Sequence, residues 1–176
     1  MTNRFIPVFW DGKDKEINFN VVLKKPGESL TLVGLLLGQG DRSLQINITV
    51  IHAAPNTKSE IVLKGVLKDT SKVGFNGLVK IEKGARGTDT WLAAKFLILS
   101  DLAKGKATPS LEILENDIKA GHAATVGKVS DMEMFYLQSR GLTKDLAKDL
   151  IVQGFISSVL QRLPKSLQKR ASMKLE

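Results

Sequence analysis

The side chains that most often perform chemistry in proteins are scarce in this sequence. It contains no cysteine and only two histidines, His52 and His122, which lie far apart along the chain. The lack of cysteine excludes disulfides, thiolate ligation of zinc or iron–sulfur clusters, and a cysteine nucleophile. Because no His-x-x-x-His spacing occurs, Asp or Glu would have to complete any metal site that this chain builds alone.

Motifs typical of enzymes are also weak. Gly38-Gln39-Gly40 is a lone Gly-x-Gly followed by a strand pattern, so it lacks the helix N-terminus that would hold a phosphate and is better interpreted as a turn. The sequence contains neither a Gly-x-x-x-x-Gly-Lys-Ser/Thr loop nor a Gly-x-Ser-x-Gly elbow. No carboxylate pair stands out for acid–base work. We therefore predict that the chain is not an enzyme.

His122 lies among small and aliphatic residues. Ile118, Ala120, Ala124 and Val126 would share its face if the segment is a strand. A histidine in such surroundings is usually a hydrogen-bonded core or interface residue. The alternative is a metal ligand or proton carrier at an interface, where small neighbours leave room for approach.

The elements that position these residues follow a period of two from about residue 17 to 129. Leu44, Ile46, Ile48 and Val50, for example, alternate with polar residues, and Gly- and Pro-containing turn sequences separate the alternating runs. Many short strands without helix-length segments between them predict an all-β body. By itself this pattern is compatible with a sandwich, a barrel or a solenoid.

Helical signals follow residue 129. Ser130 and Glu133 form a capping-box spacing that starts one helix, and Gly141 ends it. Thr143 starts a second helix, and Pro164 stops it. Its apolar residues recur at helical spacing and predict one stripe. The stripe consists of Ala147, Leu150, Ile151, Gly154, Phe155, Val159 and Leu163.

We therefore predict a β body over residues 1–129, a helical segment over 130–164 and a basic tail over 165–176, without a linker that separates independent domains. The net charge is +8, and half of it comes from the residues after Leu160. We expect a solvated tail and no nucleic-acid binding, because no aromatic residue lies among its basic residues. Neither a secretory signal nor a membrane-spanning apolar run is visible, which predicts a cytoplasmic protein without membrane contact.

Several motifs between His52 and Pro164 occur together in one order. They are His52-Ala53-Ala54-Pro55-Asn56-Thr57-Lys58-Ser59, Phe75-Asn76-Gly77-Leu78-Val79-Lys80-Ile81, Pro109-Ser110-Leu111-Glu112-Ile113, Asn116-Asp117-Ile118-Lys119, His122-Ala123-Ala124-Thr125-Val126-Gly127, Phe135-Tyr136-Leu137-Gln138-Ser139-Arg140-Gly141, Gly154-Phe155 and Leu163-Pro164. In this order they resemble the SufB/SufD family of iron–sulfur cluster assembly proteins.

The resemblance implies a right-handed parallel β-helix (a β-solenoid) followed by a pair of C-terminal α-helices. In that family a SufB–SufD pair docks through such helices onto the SufC ATPase, and the complex assembles iron–sulfur clusters. His122 matches the histidine that SufD-like chains offer at the shared interface, and Ala123 stands where SufB-like chains have glutamate. The resemblance is thus to SufD, with His122 as the candidate ligand of iron or a cluster.

The sequence also departs from the family pattern. Leu92, Ala94 and Phe96 stand where relatives carry amide side chains, Lys106 replaces an Asp, and Ala120-Gly121 replaces Cys-Ser. Few groups remain that could hold iron or relay sulfur. We therefore expect the isolated chain to bind no cofactor tightly, and any iron–sulfur cluster to be transient and held within a complex.

The resulting hypothesis is a shortened SufD-like scaffold subunit that binds a SufC-like ABC ATPase through its second helix. A SufB-like chain or a second copy would pair with the end of the β-helix near His122. The alternative is a degenerate structural or regulatory homologue without cluster chemistry, in which the apolar stripe only packs on the end of the solenoid. The candidate ATPase-binding residues are Leu146, Leu150, Ile151, Phe155 and Val159.

Overall fold

The computed structural model describes residues 2–13 and 15–175, which form strands followed by helices. The strands are β1 (Asn3–Trp10), β2 (Glu16–Leu23), β3 (Ser29–Gly38), β4 (Ser43–His52), β5 (Lys58–Leu67), β6 (Lys72–Ile81), β7 (Thr88–Ile98), β8 (Lys104–Ile113) and β9 (Ile118–Lys128). The helices are α1 (Asp131–Ser139), α2 (Lys144–Leu160) and α3 (Lys165–Leu175). The predicted change from strands to helices after residue 129 is confirmed.

Consecutive strands lie in opposite sheets, and all pairs are parallel. One sheet has the order β1-β3-β5-β7-β9 and the other the order β2-β4-β6-β8. Paired residues are 26 to 32 positions apart along the chain, because two strands and two turns complete one coil. This topology is a parallel β-solenoid, which confirms the predicted fold class and excludes the sandwich and the antiparallel barrel.

The interior of the solenoid consists of apolar rows that run from coil to coil. Leu32, Ile61 and Leu92 occupy one such row on neighbouring strands and are fully buried. On the opposite sheet the alternating residues of β4, such as Ile46 and Ile48, also point inward. The period of two therefore predicted the inward face of these strands correctly.

A second apolar layer covers the outer face of the five-stranded sheet. Val33, Leu35 and Leu37 of β3 point away from the interior and pack against α2 and α3. Because its other residues face the interior, β3 is buried on both sides, which explains its continuous apolar sequence. The helices lie across the side of the solenoid, whereas the alternative hypothesis in the sequence analysis packed the stripe on its end.

The helix caps agree with the prediction, but the buried face of α2 differs. Ser130 and Thr143 accept hydrogen bonds from the backbone N–H groups three residues ahead. In the middle of α2, Val152 and Ile156 are buried, whereas Leu150 is 52% exposed. Apolar residues occupy more than one side of this helix, so the sequence pattern could not show which row meets the sheet.

The segment expected to be a solvated basic tail forms α3 instead. Ala171 of this helix is fully buried in the outer apolar layer. The Arg170 guanidinium donates to the Asp11 carboxylate over 2.6 and 3.0 Å and lies 5.2 Å from the centre of the Phe9 ring. The solenoid therefore carries three C-terminal helices, and part of the basic charge holds the third in place.

We expect Arg170→Ala to lower the free energy of unfolding by about 1 kcal/mol, because it removes a charged hydrogen-bond pair and leaves the largely buried Asp11 carboxylate without its partner. Urea denaturation measures this loss. Lys169→Ala, at an exposed neighbouring position, is the matched control. Equal stabilities of the two variants would show that the ion pair does not stabilise α3.

Candidate functional site

His122 lies on β9, the edge strand of the five-stranded sheet. Its pairing partner is Leu92, so it continues the interior row described above by one position. Because no further strand follows β9 in the sheet, the imidazole is exposed although it points to the interior side. His122 is therefore not a core histidine, and its position is compatible with a role at an interface with another chain.

The last coil, formed by β8 and β9, presents mainly small residues on its interior side. These are Gly105, Ala107 and Pro109 of β8 and Ala120 and Ala124 of β9, and Gly105 and Ala107 are in register with the larger Val73 and Phe75 of the preceding coil. These small side chains leave a shallow apolar surface around His122. We call this surface, with the edges of β8 and β9, the open end. Edge strands offer unpaired backbone groups to another strand.

The other histidine has the opposite environment. His52 is fully buried, with Nδ1 2.8 Å from the Thr57 hydroxyl and Nε2 2.9 Å from the Ser59 hydroxyl. Thr57 already donates to the Ala54 carbonyl, so it accepts from Nδ1–H, and Nε2 must accept from Ser59. The ring is thus held as one neutral tautomer, and burial lowers the pKa of His52 to about 4.

A buried hydroxyl ladder extends this contact and was missed in the sequence analysis. Thr90 lies 2.6 Å from Ser59, and Thr88 lies 3.3 Å from Thr57. The two pairs are each 31 residues apart, which is the length of the coil between β5 and β7. Hydroxyl residues repeated at the coil spacing were the signal that could have revealed the ladder.

The strand that departs from the family pattern is apolar on its interior side. Leu92, Ala94 and Phe96 are all buried in the core. Apolar core side chains therefore stand at the positions where relatives carry amide side chains. Within the part of the chain that the structure describes, no group of three or more His, Asp or Glu side chains converges to hold a metal ion. His122 is thus an isolated candidate ligand.

The five candidate ATPase-binding residues divide between two sides of α2. Leu146 and Leu150 are exposed, and Ile151 lines a groove of about 440 Å³ between α1 and α2. Phe155 and Val159 pack toward the sheet, and Val159 is 1% exposed. Val159 therefore cannot reach a partner while α2 stays on the solenoid.

Residues of α1 complete this exposed apolar surface and were not singled out from the sequence. Met132 and Tyr136 line the groove, and Phe135 is also exposed. We call the surface formed by these residues with Leu146 and Leu150 the helical face. Large exposed apolar surfaces of this kind usually mark interaction sites.

A parallel β-solenoid with an open last coil and an apolar helical face is the class of protein that the fold defines. The family model described as SUF system FeS cluster assembly, SufBD core domain, matches residues 4–155. The chain belongs to this family. The match begins well before His52, where the recognisable motifs start.

Curated relatives support the same assignment. The iron–sulfur cluster assembly protein SufD of Bacillus subtilis is 34% identical over 167 residues, which cover 87% of this chain and 38% of that protein. SufB of the same organism is 36% identical over 144 residues, covering 81% and 31%. A SufBD family protein of Mycobacterium leprae is 32% identical over 168 residues, covering 91% and 43%.

The chain spans less than half the length of these relatives. Among residues 2–13 and 15–175, no helix is long and apolar enough to cross a membrane.

We expect the wild-type protein to lose about 2 kcal/mol of unfolding free energy between pH 7 and pH 5 because of His52. The pKa of His52 is about 4 in the folded chain and 6.5 when unfolded, so the unfolded chain binds more protons in this range. Stability from the neutral ring is therefore full above pH 6.5 and falls as the pH is lowered toward 4.

Denaturant titrations at several pH values measure this dependence. His52→Gln removes the titrating group and is expected to flatten the curve, whereas His122→Gln, at the exposed histidine, is expected to keep it. Backbone N–H groups that donate to Glu28 and Glu115 lower the pKa values of these two carboxyl groups. Their contributions to stability are therefore lost at a lower pH than the contribution of His52. An unchanged slope in His52→Gln would contradict the assignment.

Proposed function

We propose that the chain is a SufD-like scaffold subunit in iron–sulfur cluster assembly and acts without enzymatic activity of its own. It binds a SufC-like ABC ATPase through the helical face and a SufB-like chain, or a second copy, through the open end. The observation that carries this proposal is a SufBD core without cysteine in which His122 is exposed at the open end. The proposed compartment is the cytoplasm.

The absence of cysteine supports a role in which the partner supplies the sulfur ligands. Iron–sulfur clusters are held mainly by thiolates, and a single imidazole is too few ligands for a stable site. His122 can add one nitrogen ligand to a cluster that is held by the partner's side chains. The cluster is then the transient cargo of the complex and is not a resident cofactor of this chain.

The apolar groove between α1 and α2 supports docking of the ATPase at the helical face. Leu150 and Tyr136 flank it, and both are more than half exposed. Apolar anchors spaced along a helix are the usual way in which a helix enters a partner's groove. Phe155 lies on the side of α2 that faces the sheet and would not contact the ATPase directly. Its carbonyl accepts a hydrogen bond from Lys64, which fixes α2 on the sheet.

We expect Leu146→Asp combined with Leu150→Asp to weaken binding to a SufC-class ATPase at least tenfold, because two carboxylates replace the exposed apolar anchors. Titration calorimetry with the purified ATPase measures the affinity. Met173→Asp changes an apolar residue of α3 that is even more exposed than the two leucines and is the control. If the double variant keeps its circular dichroism spectrum and binds like the control, docking at this face is wrong.

A degenerate homologue without cluster chemistry is the second candidate. The buried apolar face of Leu92, Ala94 and Phe96 favours it, because the amides expected there are gone. In this case the chain would keep its partners and would not contribute a ligand.

Anaerobic reconstitution with iron and sulfide separates the two candidates. We expect no stoichiometric cluster absorbance with the isolated chain, and absorbance that depends on His122 when a SufB-like chain and the ATPase are present. His122→Ala should lower the amount of cluster per folded complex severalfold. His52→Gln changes the buried histidine and should leave the amount of cluster per folded complex unchanged. A full yield with His122→Ala would favour the degenerate homologue, and a cluster on the isolated chain would refute the scaffold proposal.

A further inference from the structure

The outer face of the four-stranded sheet is left uncovered by the rest of the described chain. Its outward residues are exposed or half-buried on all four strands, whereas the helices pack on the five-stranded sheet. A row of amides crosses this face: the Asn47 side chain donates to Asn18 over 2.8 Å, and Asn76 donates to Asn47 over 3.1 Å. Because these bonds hold the side chains in place, the face is a flat, ordered and mainly polar surface.

Three lysines stand together on this face, and we call them the lysine cluster. Lys72 of β6 and Lys104 of β8 are directly in register, and Lys106 follows two residues later on the same side of β8. All three are exposed. Neighbouring strands are about 4.8 Å apart and residues two positions apart about 6.6 Å, so the three side chains start within about 8 Å of one another. Gly74, in register with Lys106, places no side chain between them.

No carboxylate neutralises the lysine cluster within the part of the chain that the structure describes. None of the three lysines has an ion-pair partner within 4.0 Å. Glu112 and Asp101 already bind other lysines, and Glu16 lies on β2 at the opposite edge of the sheet. Asp41, in the turn before β4, forms no ion pair with the cluster either.

This arrangement lowers the stability of the isolated chain, because like charges at directly opposed positions of neighbouring strands repel each other. Binding sites commonly retain such unfavourable contacts, since the bound partner supplies what the free protein lacks. The lysine cluster is therefore better explained by an external partner of negative charge than by a role in folding.

The shape and chemistry of the face indicate the kind of partner. Small molecules usually bind in concave, mainly apolar sites, whereas this surface is flat and polar. No outward residue of the four strands is aromatic, so the face offers no stacking platform for nucleic-acid bases. A second copy of the chain has a net charge of +8 and would bring further positive charge to the contact. An acidic protein surface satisfies all three conditions.

We propose that the lysine cluster docks a separate acidic protein, whose carboxylates neutralise Lys72, Lys104 and Lys106. Gln45 leans over Gly74, where an added Cβ would lie 2.3 Å from its Oε1 atom, and so places an amide beside the cluster. Charged contacts of this kind steer the encounter and select the partner, so binding is fast and sensitive to salt. This side of the sheet belongs neither to the helical face nor to the open end, so the inference goes beyond the proposed function and does not depend on it.

The experiment uses the full chain labelled with ¹⁵N and, as the probe, a peptide of six Glu-Ser repeats with blocked termini. Alternate side chains of an extended peptide lie about 6.6 Å apart, as do those of Lys104 and Lys106. We expect the probe to shift the amide resonances of β6 and β8 around the cluster and to leave those of α1 and α2 unchanged. The shifts should decrease as the salt concentration is raised.

Variants of matched charge test the lysines. Lys72→Gln, Lys104→Gln and Lys106→Gln combined should weaken binding of the probe at least tenfold and reduce its dependence on salt. In urea this cluster variant should be at least as stable as the wild type, because the repulsion between the two strands is gone. The control removes the same charge from exposed positions of α3 and should change the affinity less than twofold. It combines Lys165→Gln, Lys169→Gln and Lys174→Gln.

Each of the following results would overturn the proposal. If the probe shifts no resonance near the cluster, the face is not a docking site. If the control weakens binding as much as the cluster variant, the attraction comes from net charge alone. If inorganic phosphate or a DNA duplex shifts the same resonances at a lower concentration than the probe, the partner is not an acidic protein. If the cluster variant unfolds at a lower urea concentration than the wild type, the lysines serve the fold.

Discussion

Each coil of the solenoid depends on the coils above and below it, both for its backbone hydrogen bonds and for its core. Leu32, Ile61 and Leu92 are fully buried because each lies in a row that continues on both sides. β8 and β9 have a hydrogen-bonded neighbour on one side only. Their free backbone groups and their interior side chains therefore face solvent, and parallel stacking itself creates a surface that favours another strand.

The helices depend on the same stacking. The outer apolar layer exists because Val33, Leu35 and Leu37 come into line with outward residues of the neighbouring coils, which gives α2 and α3 a continuous surface. Once Val152 and Ile156 are buried on it, the remaining apolar side of α2 faces away from the solenoid. Leu146 and Leu150 are left exposed by this packing, so the helical face follows from how the sheet is covered.

Local patterns in the sequence were sufficient for the alternating strands, such as β4 and β6, for their inward faces and for the helix caps, but not for β1, which precedes the alternating region. The period of two reports only which face a residue occupies, so it could not distinguish parallel from antiparallel pairing, and the parallel fold came from the family motifs. The contacts that were missed join distant positions. For example, α3 is held by the contact between Asp11 and Arg170, which are 159 residues apart. Because local sequence does not show such a contact, this segment was expected to be a solvated tail.

At the candidate site, the sequence motifs placed His122 on the correct strand but could not show that β9 is the edge of its sheet. Lys72 and Lys104 of the lysine cluster were each visible in the sequence, yet their pairing depends on the register between β6 and β8. The hydroxyl ladder from Ser59 to Thr90 also depends on register. Residues that cooperate in a solenoid are one coil apart, and a search at that spacing would have found both pairs.

The two histidines show how position in the stack decides chemistry. His52 ends a strand that has neighbours on both sides, so its ring loses contact with water and both nitrogens are used in hydrogen bonds. Such a ring cannot bind a metal unless the ladder breaks. His122 occupies the interior side of the last strand, where one face of the coil is missing. The sheet fixes the backbone position of His122, while its ring stays accessible to an approaching partner. A partner that paired with β9 would also cover this ring.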